Sequence, residues 1–301
     1  MAQQAAQVVF PERIIKKTSP FVTLLRFVRN KPVGAIAAAI VLALGLSALF
    51  APLITPYDPL STRVGPIQDA PSTRFLFGTD SAGRDVLSRV VYGGRTSLMT
   101  AVLAVAISTF VGTLIGLTSG YFEGKLDLIL QRMIDSIMSF PAMILALAVI
   151  SVLGPSTRNL VITIAVVMTP QAARIVRGSV LSVKQNVYVE AARSIGAKDT
   201  RILLFHILPN VVAPILIIVS VQVGYGILVE ASLSFLGLGT PPPNPSWGSM
   251  LSEEGRQSME TAPWLAIFPG LFLSLAVMGL NLFGDALRDV MDPKMRGRTR
   301  T

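Results

Sequence analysis

Six long stretches, nearly free of charge, decide what this chain can become. Each is long enough to cross about 30 Å of hydrocarbon, where a single segment satisfies its own backbone only as a helix. The first, Val33 to Leu53, is an uncharged run of 21 residues. It exceeds a signal-peptide core and lacks a clear small-x-small cleavage site, so it reads as a permanent span. Others follow at about Ser97 to Gly120, through Met138, Pro141 and Val152 to Gly154, and at about Leu160 to Arg177, Val211 to Leu236 and Trp264 to Phe283. With 51% hydrophobic and 14% charged residues, the chain is too apolar for an ordinary soluble globule. The expected fold is an all-α polytopic membrane protein of about six transmembrane helices.

The polar segments carry the remaining information. Residues 1–32 form an N-terminal segment in which Ser19, Pro20, Phe21, Leu24, Leu25 and Val28 fit a short interfacial helix. Residues 54–96 are polar and rich in turn-forming prolines, Trp247 suits a membrane interface, and 290–301 is a basic tail. Gly112, Gly116 and Gly120 recur at four-residue spacing, which permits close helix crossing. Pro141 is a candidate kink, and Pro170 with Gln171 suggests a helix bent around a pathway. Gln171, Gln222 and Glu230 are the polar candidates for that pathway or its gate; an intramembrane carboxyl such as Glu230 is costly unless it faces protein or water.

The longest polar interruption of the second half is Asn186 to Asn210. Gly196 is placed to end one helix in the left-handed conformation, Asp199 and Thr200 to start another, and Pro209 to bound it. Alanines at 191 and 192 let another protein approach closely, and Arg193, Lys198 and Arg201 offer charge at the rim. This describes a docking plug better than a catalytic site. Placing the N-terminus, the Tyr121 to Asp135 connection, this loop and the tail on one side collects 19 of the 26 basic residues, leaving Arg63, Arg74, Arg84, Arg89, Arg95, Arg158 and Arg256 opposite. The positive-inside rule then makes the first side cytoplasmic.

Several chemistries are excluded. The nearest approach to a phosphate-binding loop, Gly120 to Leu126, has the wrong spacing, so ATP hydrolysis would need another chain. His206 is the only histidine and there is no cysteine, which removes multi-histidine and thiolate metal sites. The +9 charge is scattered without interleaved aromatics, as topology signals are, so no nucleic-acid partner is expected.

Two motifs carry a family resemblance. Glu190, Ala191, Ala192, Gly196, Leu208 and Pro209 match the spacing of the EAA loop of ABC-importer permeases, with His206 where the general pattern has Ile, as in the peptide-importer branch. Gly78, Thr79, Asp80, Gly83, Arg84, Asp85, Ser88, Arg89, Gly93, Arg95, Ser97 and Leu98 resemble the segment of the C-type subunit of dipeptide, oligopeptide and nickel importers, and Glu230 to Leu251 also resembles that branch. Physically, Asp80, Arg84, Asp85 and Arg89 could hold a surface helix against the next span. The resemblance implies a permease core over 97–289 with a cytoplasmic coupling loop at 178–210, in which Tyr188, Glu190, Ala191, Ala192, Arg193, Gly196, Ala197, His206 and Pro209 serve ATPase coupling. It also implies a second homologous permease, two ATP-binding subunits that hold the ATP and Mg, an extracytoplasmic substrate-binding protein, and residence in the bacterial or archaeal cytoplasmic membrane. The cargo would be peptides or a related small solute; nickel chelate, glutathione and sugar-oligomer importers share most of these motifs. The rival from another class is a secondary transporter driven by an ion gradient.

Overall fold

The computed structural model describes residues 29, 31–252, 255–256 and 258–291. The expected interfacial helix and the basic tail beyond Met291 lie outside the described residues. Where the sequence is apolar, the chain is helical: α1 Pro32–Leu49, α2 Val86–Phe122, α3 Gly124–Met138, α4 Ala142–Leu153, α5 Thr157–Lys184, α6 Val187–Ser194, α7 Leu208–Phe235, α8 Trp247–Leu251 and α9 Trp264–Met291. Five helices are long and apolar enough to span, counting Asp199–Phe235 as one, and α3 with α4 makes a sixth if the bent pair is one span.

The helices pack around α2 and α5, which form the most extensive contact in the molecule. The glycine row explains why. A Cβ on Gly112 would sit 2.6 Å from the Ala172 Cβ, one on Gly116 2.7 Å from the Ala173 carbonyl oxygen, and one on Gly120 2.9 Å from the Val180 Cβ. Only glycine lets the two backbones approach so closely, and in a membrane such packing carries much of the association between helices. α7 packs on both, α9 on α7, and α1 on α9. Gly284 meets Ser220 and Gly224 meets Asn281, so α9 runs antiparallel to α7 and ends near its start. Lys31 then bonds Asp289 at 2.6 Å, placing the start of α1 and the end of α9 at one end of the bundle.

Several expectations change. The third apolar run is broken at Pro141 and not gently kinked: α3 and α4 meet at 91° on either side of it, as a broken span or a re-entrant pair. Pro141 lacks an N–H and holds an extended conformation (ψ 130°), which ends helical geometry outright. At 12 residues, α4 is about 18 Å long, too short to cross alone. α3 is amphipathic and is tied to α5: the Arg177 guanidinium donates to both oxygens of Asp127 at 2.6 and 2.7 Å, and Arg174 donates to Asp135 at 2.8 Å. Asp127 also accepts from Ser119.

The second helix starts at Val86 rather than Ser97, so the charged motif caps the span itself and holds no separate surface helix. Asp85 accepts from the Ser88 amide at 2.8 Å as the N-cap. Buried Asp80 accepts from the Ala82 and Arg84 amides at 2.9 Å, from Arg84 Nε at 2.5 Å and from Arg89 Nε at 3.3 Å. Gly78 (φ 75°) and Gly83 (φ 69°) take the left-handed turns this requires, each with a backbone carbonyl 2.6 Å from where a Cβ would be. Asp80→Ala would leave two largely buried guanidinium groups without their shared carboxylate. A loss of about 3–5 kcal/mol is expected, read as a lowered unfolding temperature in detergent. Trp247 is also not an interface anchor: it is 1% exposed, its indole donating to the Val90 carbonyl at 2.9 Å.

Candidate functional site

Beyond Lys184 the chain leaves the bundle and builds a knob. α6 ends at a turn with Gly196 at φ 81°, after which Asp199–Arg201 restarts a helix. The knob has its own small core: Val189 and Ala192 of α6 pack with Ile202, Ile207 and Val211, and against Leu117, Tyr121, Val176 and Val180 of the bundle. It is pinned by the Tyr121 hydroxyl, 2.5 Å from Asp199, and by Lys184, which donates to the Tyr121 carbonyl at 2.6 Å and to Glu123 at 2.7 Å. Arg193 lies over the Tyr121 ring at 5.8 Å.

Pro209 does not bound the second helix. Residues Ile202–Ile207 widen to a π-helical turn, and the chain continues through Pro209 into α7. The wider turn accommodates a residue that has no N–H to donate and a ring that crowds the preceding turn. The knob is therefore rigidly continuous with a spanning helix. Ala191 is exposed as an approach point should be, but Ala192 is buried and serves the knob's own packing. Glu190, Arg193, Gly196 and Pro209 are exposed, Ala197 and His206 half-buried, and the Tyr188 hydroxyl reaches the His206 carbonyl at 3.5 Å.

What the motif did not reveal is the surface around it. Val187 is 80% exposed, Ile195 86%, Leu204 54% and Phe205 71%. These large apolar side chains stand outside the bundle beside charged neighbours. Their spacing in sequence follows no single period, because they come from two helices and a turn.

The pathway candidates separate. Gln171 and Gln222 line one cavity of about 530 Å³ with Phe140, Pro170 and Tyr225, beside the break between α3 and α4. Gln222 is buried; its Nε2 donates weakly to the Met168 carbonyl at 3.4 Å and its Oε1 has no partner among the described residues. Glu230 is two turns further along α7, about 12 Å away along the axis, and does not line the cavity. Fully buried, it accepts from Ser234 Oγ at 2.7 Å, with Ser97 and Ser246 beside it. It lies where α7 meets α2 and the segment leading into α8, and its Oε2 has no partner among the described residues.

Comparison with known proteins bears on the whole chain. Residues 112–297 match the family described as binding-protein-dependent transport system inner membrane component, and residues 19–71 match the N-terminal transmembrane domain of oligopeptide transport permease C. The dipeptide transport system permease protein DppC of Alkalihalophilus pseudofirmus is 39% identical over 95% of this chain and 94% of its own length. The glutathione transport system permease protein GsiD of Escherichia coli is 43% identical over 98% of this chain and 97% of its own. A crystal structure of the MetNI methionine ABC transporter in inward-facing form aligns at 18% identity, with a TM-score of 0.49, over 65% of this chain and 94% of that one.

Proposed function

The chain belongs to the binding-protein-dependent transport system inner membrane components, the permeases of ABC importers, and to their dipeptide and oligopeptide branch. From that membership we propose that it carries peptides inward across the cytoplasmic membrane without doing chemistry itself. ATP and Mg belong to two partner ATPase subunits, cargo arrives from an extracytoplasmic binding protein, and a second homologous permease completes the pathway. The relatives' names include dipeptide and glutathione transport, and a small γ- or α-linked peptide satisfies both. Both termini and the knob face the cytoplasm, in keeping with the bias of basic residues toward that side and with Lys31 and Asp289 meeting at one end.

The observation that carries this proposal is the knob: an apolar, exposed tip on a pinned core that runs unbroken into α7. An ATPase seated on Ile195 and Phe205 would move α6 and the Asp199–Phe235 helix together, because Val189, Ala192, Ile202 and Ile207 lock them. Tilting α7 shifts Gln222 and Tyr225 in the glutamine-lined cavity, which couples the tip to the pathway.

The test is affinity purification from detergent-solubilised native membranes, before and after Gly196→Arg. Gly196 has open space around its Cβ position but a left-handed backbone, so arginine there strains the turn and places a long cation at the tip. Wild type is expected to retain ATPase subunits and the variant to lose them. Retention by both, or uptake in vesicles without ATP, would overturn the coupling role.

A further inference from the structure

We propose that a second pocket, at the end of the bundle opposite the knob, is a binding site for an oxyanion, with Arg95 as its cation. The pocket encloses about 380 Å³ between α2, the start of α5 and the loop after α7. Its polar lining is Arg95, Thr96, Thr100, Thr157, Thr240 and Asn244: one guanidinium, four hydroxyls and an amide, all able to donate, and no carboxylate.

Three observations point to an anion. Arg95 is exposed and makes no hydrogen bond or ion pair among the described residues, whereas Arg84 and Arg89 at the same end share Asp80. Thr100 is 1% exposed and its Oγ1 has no partner among the described residues, a buried donor at the pocket wall left for a ligand to satisfy. Thr157 is the first residue of α5, so the positive end of a 28-residue helix adjoins the site, with Ser156 as its N-cap taking the Asn159 amide. Thr157 and Thr240 approach at 3.5 Å between their hydroxyls. Leu103 and Val161 supply apolar wall for whatever adjoins the charged group.

The site is placed for cargo, and this assignment rests on the peptide proposal above. Val161 of this pocket and Val167 of the glutamine-lined cavity are six residues apart on α5, about 9 Å along its axis. A peptide whose terminal carboxylate rests on Arg95 would lie about 9 Å, measured along α5, from the level of the glutamine-lined cavity, with buried Leu160, Ile164 and Met168 packed between the two. The same donors would also hold the phosphate of an anionic lipid, and the experiment separates the two sources.

The full importer is reconstituted in phosphatidylcholine vesicles with and without phosphatidylglycerol, and uptake of a tripeptide and of its C-terminal amide is followed. Arg95→Gln and Thr100→Val are expected to lower uptake of the free acid about ten-fold and to leave the amide unchanged, assigning the anion to the cargo. A loss shared by both peptides, and only in vesicles containing phosphatidylglycerol, assigns it to lipid. In parallel, labelling of Arg95 by phenylglyoxal is read by mass spectrometry, with the tripeptide or inorganic phosphate as the shielding probe. A wild-type importer that moves neither peptide, yet whose Arg95 is shielded by phosphate, loses the peptide assignment and keeps the site. Arg95 labelled equally with the tripeptide, phosphate or phosphatidylglycerol present, with uptake unmoved in both variants, overturns the site.

Discussion

Gly116→Leu is expected to leave no folded permease to extract from the membrane. A side chain there begins 2.7 Å from both the Ala173 carbonyl oxygen and the Val176 Cβ, and 2.9 Å from the Arg177 amide. Two of these are backbone atoms of a helix, which cannot rotate aside as a side chain can. α2 and α5 must therefore separate by the width of the added group. Overfilling an ordinary core costs about 1–3 kcal/mol. Here the separation also withdraws buried Ala172, Ala173 and Val176 from contact and pulls at Ser119, which bonds the Asp127 that Arg177 holds. Fluorescence-detected size-exclusion after mild detergent extraction would show the monodisperse peak lost, with Gly116→Ala intermediate. Gly45→Leu is the control, since nothing lies within 4 Å of its Cβ position. Normal yield of the Gly116→Leu protein would mean that α2 and α5 do not cross here.

The contrast between that row and the rest of the molecule shows what a sequence displays. Gly112, Gly116 and Gly120 announce a crossing because one helix face at regular spacing suffices to make it, and the apolar runs announce spans because length and polarity are local properties. The break at Pro141 is different. Both sides of it are helix-forming, and the apolar run from Met138 to Gly154 passes straight through it, so hydropathy sees one segment and only the extended ψ at Pro141 sets the 91° turn. The π-turn before Pro209 was hidden for the same reason: a proline normally ends a helix, and whether the chain yields by stopping or by widening depends on the packing of Ile202 and Ile207. Among the polar candidates, Gln171 and Gln222 share a cavity while Glu230 does not, a distinction that needs the registry of α5 against α7. The Arg95 pocket gathers residues from three distant segments, so no motif spans it, even though Arg95 itself lies inside the family pattern.

Replacing both Ile195 and Phe205 by aspartate is expected to uncouple the importer without unfolding it. At 86% and 71% exposed, the two side chains contribute little to the permease's own packing, so the variant should extract and migrate as wild type. Buried apolar anchors at the centre of a protein interface typically contribute about 2–4 kcal/mol each, so removing one weakens ATPase binding about 30- to 1000-fold. A carboxylate left in the closed interface adds its desolvation to that loss. Val189→Asp supplies the opposite pattern, because Val189 is 1% exposed and packs from α6 into the cluster that holds Ile202 and Val180. That substitution should destroy the knob and lower the yield of the permease itself. Titrating purified ATPase onto the immobilised permease, with uptake measured in parallel, distinguishes the cases. If the double aspartate variant binds ATPase and imports as wild type does, the exposed apolar tip is not the coupling surface, and the charged rim of Glu190, Arg193 and Arg201 takes its place.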